Sequence, residues 1–177
     1  MCFKRSYPGI LGIAIIGFLF FCPGVFGKEA EAETAIQKFI GTWKLVTSEF
    51  RTSDGKVSYP LGDKAVGILM YDSGGRMAVQ LMRPGRPRFA SGDMRGGTPE
   101  EIKTAGEGYV AYFGTYEVDG KKSTVVHHVE ASLFPNWVGQ DQLRFFEFSG
   151  DLLTLKTLPV LLGGQEITGV LIWKRLR

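Results

Sequence analysis

Cysteine occurs only at Cys2 and Cys22, histidine only at His127 and His128, and neither sign of charge dominates, with 21 Lys and Arg against 18 Asp and Glu in 177 residues. Each shortage excludes a class of protein. A nearly balanced chain lacks the one-sided basic charge of a dedicated nucleic-acid binder. The apolar run Ile10–Cys22 falls short of the ~20 residues that a spanning helix needs. No Gly-x-Ser-x-Gly elbow and no phosphate-cradling P-loop occurs. Gly106-Glu107-Gly108-Tyr109-Val110-Ala111 imitates a dinucleotide fingerprint, but it leads from a helical segment into a strand, the reverse of what that chemistry requires.

What is present begins with a leader. Lys4 and Arg5 precede the apolar run, and Pro23-Gly24 followed by Val25-Phe26-Gly27 ends it. This is the layout of a secretory signal peptide over residues 1–27, with cleavage expected after Gly27 and a secreted or periplasmic domain over residues 28–177 that keeps no stable membrane span. The bulky Leu19-Phe20-Phe21 before Cys22 argue against lipidation there. Both cysteines leave with the leader, so the mature domain has no disulfide, no thiolate zinc site and no thiol nucleophile. Its stability rests on packing, for which about 150 residues suffice.

After the leader, Ile36, Phe39 and Ile40 fall at helical spacing and Gly41 ends one or two turns of helix. From Trp43 onward the texture changes to short segments rich in Val, Tyr, Phe and Thr. These are Trp43–Phe50, Val57–Tyr59, Val66–Tyr71, Arg76–Met82, Tyr109–Val118, Thr124–Ser132, Gln142–Phe148, Leu152–Thr157 and Ile167–Arg175. Hairpin chemistry separates many of them: Ser53-Asp54-Gly55, Asp72-Ser73-Gly74-Gly75, Asp119-Gly120 and Ser149-Gly150-Asp151. The expectation is an all-β fold, an antiparallel up-and-down β-barrel of 8–9 strands with the short N-terminal helix. A second short helix is expected near residues 99–105, where Thr98-Pro99-Glu100-Glu101 offers an N-cap, a first-turn proline and first-turn acids.

The blocks along this chain resemble those of calycin barrels. Phe39-Ile40-Gly41-Thr42-Trp43 is similar to the Gly-x-Trp opening of lipocalins and fatty-acid-binding proteins. The resemblance implies that Gly41 and Trp43 close one barrel end and that a basic residue of the last strand, here Arg175, packs over the indole. The ordered set Gly67-Ile68-Leu69-Met70-Tyr71, Arg86-Pro87, Tyr109–Tyr116, Val126–Glu130, Pro135–Gly139 and Gly169–Arg175 more closely resembles the lipocalin-like domain family, over roughly Phe39 to Arg175. It implies a capacity for a small hydrophobic ligand.

Several side chains are candidates for that site: Met70, Met77, Val79, Tyr112, Tyr116, His127, Arg144, Phe146 and Trp137. His127 and His128 are adjacent on a strand and point to opposite faces, so they do not share a metal, and no metal or cofactor is expected. Parity sets Val125, His127, Val129 and Ala131 on one face and Val126, His128, Glu130 and Ser132 on the other. Arg144 either holds a carboxylate inside the barrel or faces out. The apolar loop Leu133–Val138 either lids the mouth or plugs the closed end. Arg83, Arg86 and Arg88, in a Pro/Gly-rich loop, either meet an anionic group or are simply solvated.

Three functions remain open. The first is a secreted, monomeric or homodimeric barrel that binds or carries a small hydrophobic molecule. The second is a cofactor-independent cyclase or isomerase using His127, His128 or Tyr112, which predicts such a residue turned inward with a displaced pKa. The third is a barrel filled by its own side chains.

Overall fold

Turn residues punctuate the chain where the sheet reverses. At Asp72–Gly75 the last glycine sits at φ +80°, and the Asp72 carboxylate accepts from the Arg76 backbone N–H at 2.8 Å. The computed structural model describes residues 35–162 and 164–177; the expected leader lies outside them. Helical residues 35–39 (α1) lead into ten strands: β1 Gly41–Thr52, β2 Val57–Ser58, β3 Val66–Tyr71, β4 Arg76–Met82, β5 Tyr109–Asp119, β6 Thr124–Ser132, β7 Asp141–Ser149, β8 Leu152–Thr157, β9 Val160–Leu162 and β10 Gln165–Arg175. A helix, α2, spans Pro99–Glu107. Eight strands pair as neighbours in the order β1-β3-β4-β5-β6-β7-β8-β10, and β10 pairs back onto β1 from Trp43↔Arg175 to Thr52↔Ile167. The expected up-and-down barrel is therefore closed. The short β2 and β9 extend β1 and β10 at the rim.

Up-and-down winding sorts the connections. Turns β3–β4, β5–β6 and β7–β8 lie at the end where β1 begins and β10 finishes; the longer connections lie at the other, the mouth. The first end is sealed. Phe39 of α1 is wholly buried, with its ring 4.9 Å from Phe146, 5.1 Å from Phe148 and 5.1 Å from Tyr71, all edge-on. The Trp43 indole donates to the Phe39 carbonyl at 2.8 Å. The Arg175 guanidinium lies 4.1 Å over the Trp43 ring and donates to the carbonyls of Ile40, at 2.6 Å, and Lys38. Gly41 has φ +135°, and a Cβ there would stand 2.9 Å from Arg175 Nη1, so glycine meets both a backbone and a space requirement.

α2 forms as its sequence dictates. Thr98 Oγ1 accepts from the Glu101 N–H at 3.3 Å, and the Glu101 carboxylate accepts from the Thr98 N–H at 2.8 Å, a reciprocal capping box. The same carboxylate accepts from the Ala90 N–H at 2.8 Å, tying the preceding loop to the helix start. These backbone donors hold the Glu101 carboxyl below its ordinary pKa.

Two parity expectations need correction. Met70 points outward and is 43% exposed; Leu69 and Tyr71 are the inward residues of β3. The register decides this, because Leu69 pairs with Val79 and Tyr71 with Met77, both core residues. In β6 the alternation holds through Val129, and then the register shifts between Phe113 and Gly114 of β5. Glu130 is the extra residue of this bulge, and beyond it the faces exchange: Ser132 pairs with inward Tyr112, whereas Ala131 pairs with outward Phe113.

Candidate functional site

The barrel core is apolar around one imidazole. His127 pairs with Tyr116 on β5 and Gln142 on β7, and its ring is 1% exposed. Its Nε2 lies 2.7 Å from the Tyr71 hydroxyl and its Nδ1 lies 2.9 Å from the Tyr112 hydroxyl. Each phenol arrives from a different strand, β3 and β5, and both tyrosines are buried. Around them Met77, Val79, Leu81, Val125, Val129, Leu153 and Leu155 fill the inner face.

The electrostatics follow from burial. Removal from water, reinforced by the positive charge of Arg144 and by His128, lowers the His127 pKa to about 3, so the ring is neutral near neutrality. Burial pushes the Tyr71 phenol well above its ordinary value, and the neighbouring Tyr112 adds to this while Arg144 opposes it. Burial also raises Tyr112, again against Arg144. Tyr116 is raised by burial, and its hydroxyl donates to the Asp72 carbonyl at 2.9 Å, which anchors the β3–β4 turn.

Arg144 faces the interior. It shares a face with Val125 across to β6 and with Thr157 across to β8, two residues before inward Phe146. Its guanidinium donates to its neighbour's carbonyl, Leu143 O, at 2.8 Å and to Gln142 Oε1 at 3.1 Å. Trp137 sits in the 3₁₀ turn Pro135–Trp137 of the β6–β7 connection. Its ring meets Tyr112 edge-on at 5.6 Å, which places the apolar loop at the mouth rather than at the sealed end.

The remaining sequence candidates separate. Met77, Val79, Tyr112, Tyr116, His127, Arg144, Phe146 and Trp137 lie in or against the core, and Met70 does not. His128 is on the outer face, corrected as a candidate for interior chemistry: its Nδ1 is 2.6 Å from Asp141 Oδ1 and its Nε2 is 3.7 Å from Glu117. The Arg83–Gly97 loop encloses an open groove of about 580 Å³ that includes Arg83, Arg86, Arg88, Phe89 and Met94. Two of its arginines have structural partners. Arg83 donates to the Pro60 carbonyl at 2.7 Å; Arg86 donates to Ala105 O at 2.9 Å and lies 5.0 Å over the Tyr109 ring. Sequence reasoning missed Tyr71 and Phe39 as interior residues. Nothing within β3 marks Tyr71 as inward; its pairing with Met77 of β4 does, and Phe39 stands two residues before the Gly-x-Trp that seals the barrel.

Comparison with known proteins adds to this geometry. The 4'-hydroxy-3'-methoxypropiophenone carrier protein ppsC of Aspergillus oryzae (strain ATCC 42149 / RIB 40) is 38% identical over 107 residues, which is 56% of this chain and 96% of that protein. No solved structure gives a significant match. Residues 40–176 match the lipocalin-like domain, a span that runs from the Gly-x-Trp opening through all ten strands to the arginine over the indole. Barrel, seal and match agree, and the chain belongs to the lipocalin-like domain family.

Proposed function

We propose that this protein is an exported carrier of a small hydrophobic molecule held inside the barrel. The observation that carries the proposal is the architecture of the interior: one end sealed by Phe39, Trp43 and Arg175, and aromatic and aliphatic side chains converging on a few polar groups below an aromatic mouth loop. The relative named as a carrier of an aryl ketone supports the same class of ligand, an apolar body with a small number of oxygen atoms. Export rests on the leader composition of residues 1–27.

One observation favours the isomerase alternative: His127 and Tyr112 are turned inward and displaced in pKa. The direction of the displacement counts against it. With its pKa near 3 and both ring nitrogens facing phenols, His127 is not a cationic acid at neutral pH and has no free lone pair for a substrate.

The test is native mass spectrometry of the chain purified from its own host, followed by solvent extraction. The expected result is one small apolar molecule per chain. A mass equal to the bare polypeptide in every preparation overturns carriage.

A further inference from the structure

The hydrogen-bonding protons inside the barrel do not balance. A neutral imidazole carries one N–H and two phenols carry two O–H groups, so the Tyr71–His127–Tyr112 chain has three donor protons for its two hydrogen bonds. One phenol O–H is always left over. The surroundings say which. Tyr71 is enclosed by the rings of Phe39 at 5.1 Å and Tyr116 at 4.7 Å, and His127 is its hydrogen-bond partner among the described residues. Its proton therefore goes to His127 Nε2. That assigns the imidazole N–H to Nδ1, where it donates to the Tyr112 oxygen. The uncommitted proton is the one on Tyr112, the phenol that lies beneath Trp137 at the mouth loop.

Arg144 leans the same way. Its guanidinium has five N–H donors; it donates to Leu143 O and Gln142 Oε1 and stands within hydrogen-bonding reach of the Tyr112 hydroxyl, so the two groups converge. No carboxylate among the described residues pairs with it, whereas Glu130, Glu117 and Asp141 lie outside the barrel with Arg76 and His128. A partly buried cation without an anion in an apolar enclosure lacks its compensation. The charge of Arg144 registers on Tyr71, Tyr112 and His127 alike. The buried Trp173 indole N–H also has no acceptor among the described residues, an imbalance of the same sign.

Resting on the carrier reading above, we propose that the interior selects a ligand presenting an oxygen acceptor, a carbonyl or a carboxylate, to the Tyr112 hydroxyl and the Arg144 guanidinium. The ligand supplies the acceptors that the protein withholds. Its apolar body packs against the aliphatic and aromatic side chains of the inner face, so hydrophobicity sets whether it binds and the oxygen sets which molecule binds.

The test uses three probes of equal heavy-atom count on the folded, delipidated chain: acetophenone, benzoate and cumene, with affinities from ligand-observed NMR. The acceptor-bearing probes are expected to bind about tenfold or more tightly than cumene, the worth of one well-formed hydrogen bond. Preference for acetophenone assigns the selection to the phenol; preference for benzoate assigns it to the guanidinium charge; either supports the proposal. Tyr112→Phe is expected to bring acetophenone, and Arg144→Met benzoate, to the level of cumene binding in the same variant, with the folding of each variant established separately by its urea unfolding transition. Cumene binding as tightly as both others overturns the proposal and leaves carriage standing. Absence of binding by all three overturns it as well, and carriage is then judged separately by the extraction experiment.

Discussion

His127 is neutral in the folded barrel and free to take up a proton when the chain unfolds, so its burial couples stability to pH. The folded pKa, about 3, lies below the unfolded value near 6.5. The unfolded state therefore binds the extra proton between those limits, and stability is full above about pH 6.5 and falls as pH falls toward 3. Between pH 7 and pH 5 the expected loss is about 2 kcal/mol from this residue alone. The carboxyls of Asp54, Glu101 and Asp119, all shifted downward, titrate below that window. Urea denaturation at the two pH values should show the loss in the native sequence and its absence in His127→Gln. Equal pH dependence in both proteins would mean that the imidazole is not held neutral by the fold.

Among the elements, the β5–β6 ladder has the least tolerance. At its bulge, a Cβ on Gly114 would lie 1.9 Å from the His128 carbonyl oxygen, a backbone atom that cannot swing away. Gly114→Ala is expected to cost more than about 3 kcal/mol, in the range of severe strain. Gly106→Ala is the matched control. Gly106 lies in α2 with nothing within 4 Å of its absent Cβ, so the change should be neutral or stabilising by up to about 1 kcal/mol. Thermal or urea unfolding of the pair checks both. This ladder also shows where sequence becomes silent. Alternation grouped Met77 and Val79 against Arg76 and Gln80 on β4 and His127 with Val125 and Val129 on β6, whereas on β5, apolar or aromatic at nearly every position, it showed only that Tyr112 and Tyr116 share a face. It failed on β3, where Leu69, Met70 and Tyr71 are all apolar or aromatic and only pairing with β4 distinguishes the faces. It failed again after Val129, because nothing in Glu130 itself announces an extra residue; the neighbouring Gly114 was the signal, on a different strand. β9 was missed because it is three residues long and follows Leu158-Pro159 directly.

For the molecule as a whole, closure depends on β1 meeting β10, and Arg175 joins that seam to α1. Its guanidinium covers Trp43 and holds two carbonyls that precede the first strand. Arg175→Ala removes the ring contact and leaves those carbonyls without their donor, with an expected destabilisation of about 2–3 kcal/mol. Arg177→Ala removes only an exposed pair with Asp151, at 2.8 Å, and should change stability by less than about 0.5 kcal/mol. If the two substitutions prove equivalent by calorimetry, the seal does not depend on the cation over the indole. The whole-molecule plan was the most legible part of the sequence, since Gly41 and Trp43 before the first turns and Arg175 at the end of the last strand belong to one resemblance. The proton imbalance was the least legible, because it exists only once Tyr71 and Tyr112 are seen on either side of one ring.

The seam that closes the barrel also brings α1 and the end of β10 to the same pole, where the Leu176 N–H donates to the Thr42 carbonyl at 2.8 Å. A handle attached after Arg177 therefore emerges opposite the entrance. Coupled to a sensor surface through that handle, the molecule would stand with its sealed pole against the support and its aromatic loop toward the solution, free to sample whatever analyte is flowed past.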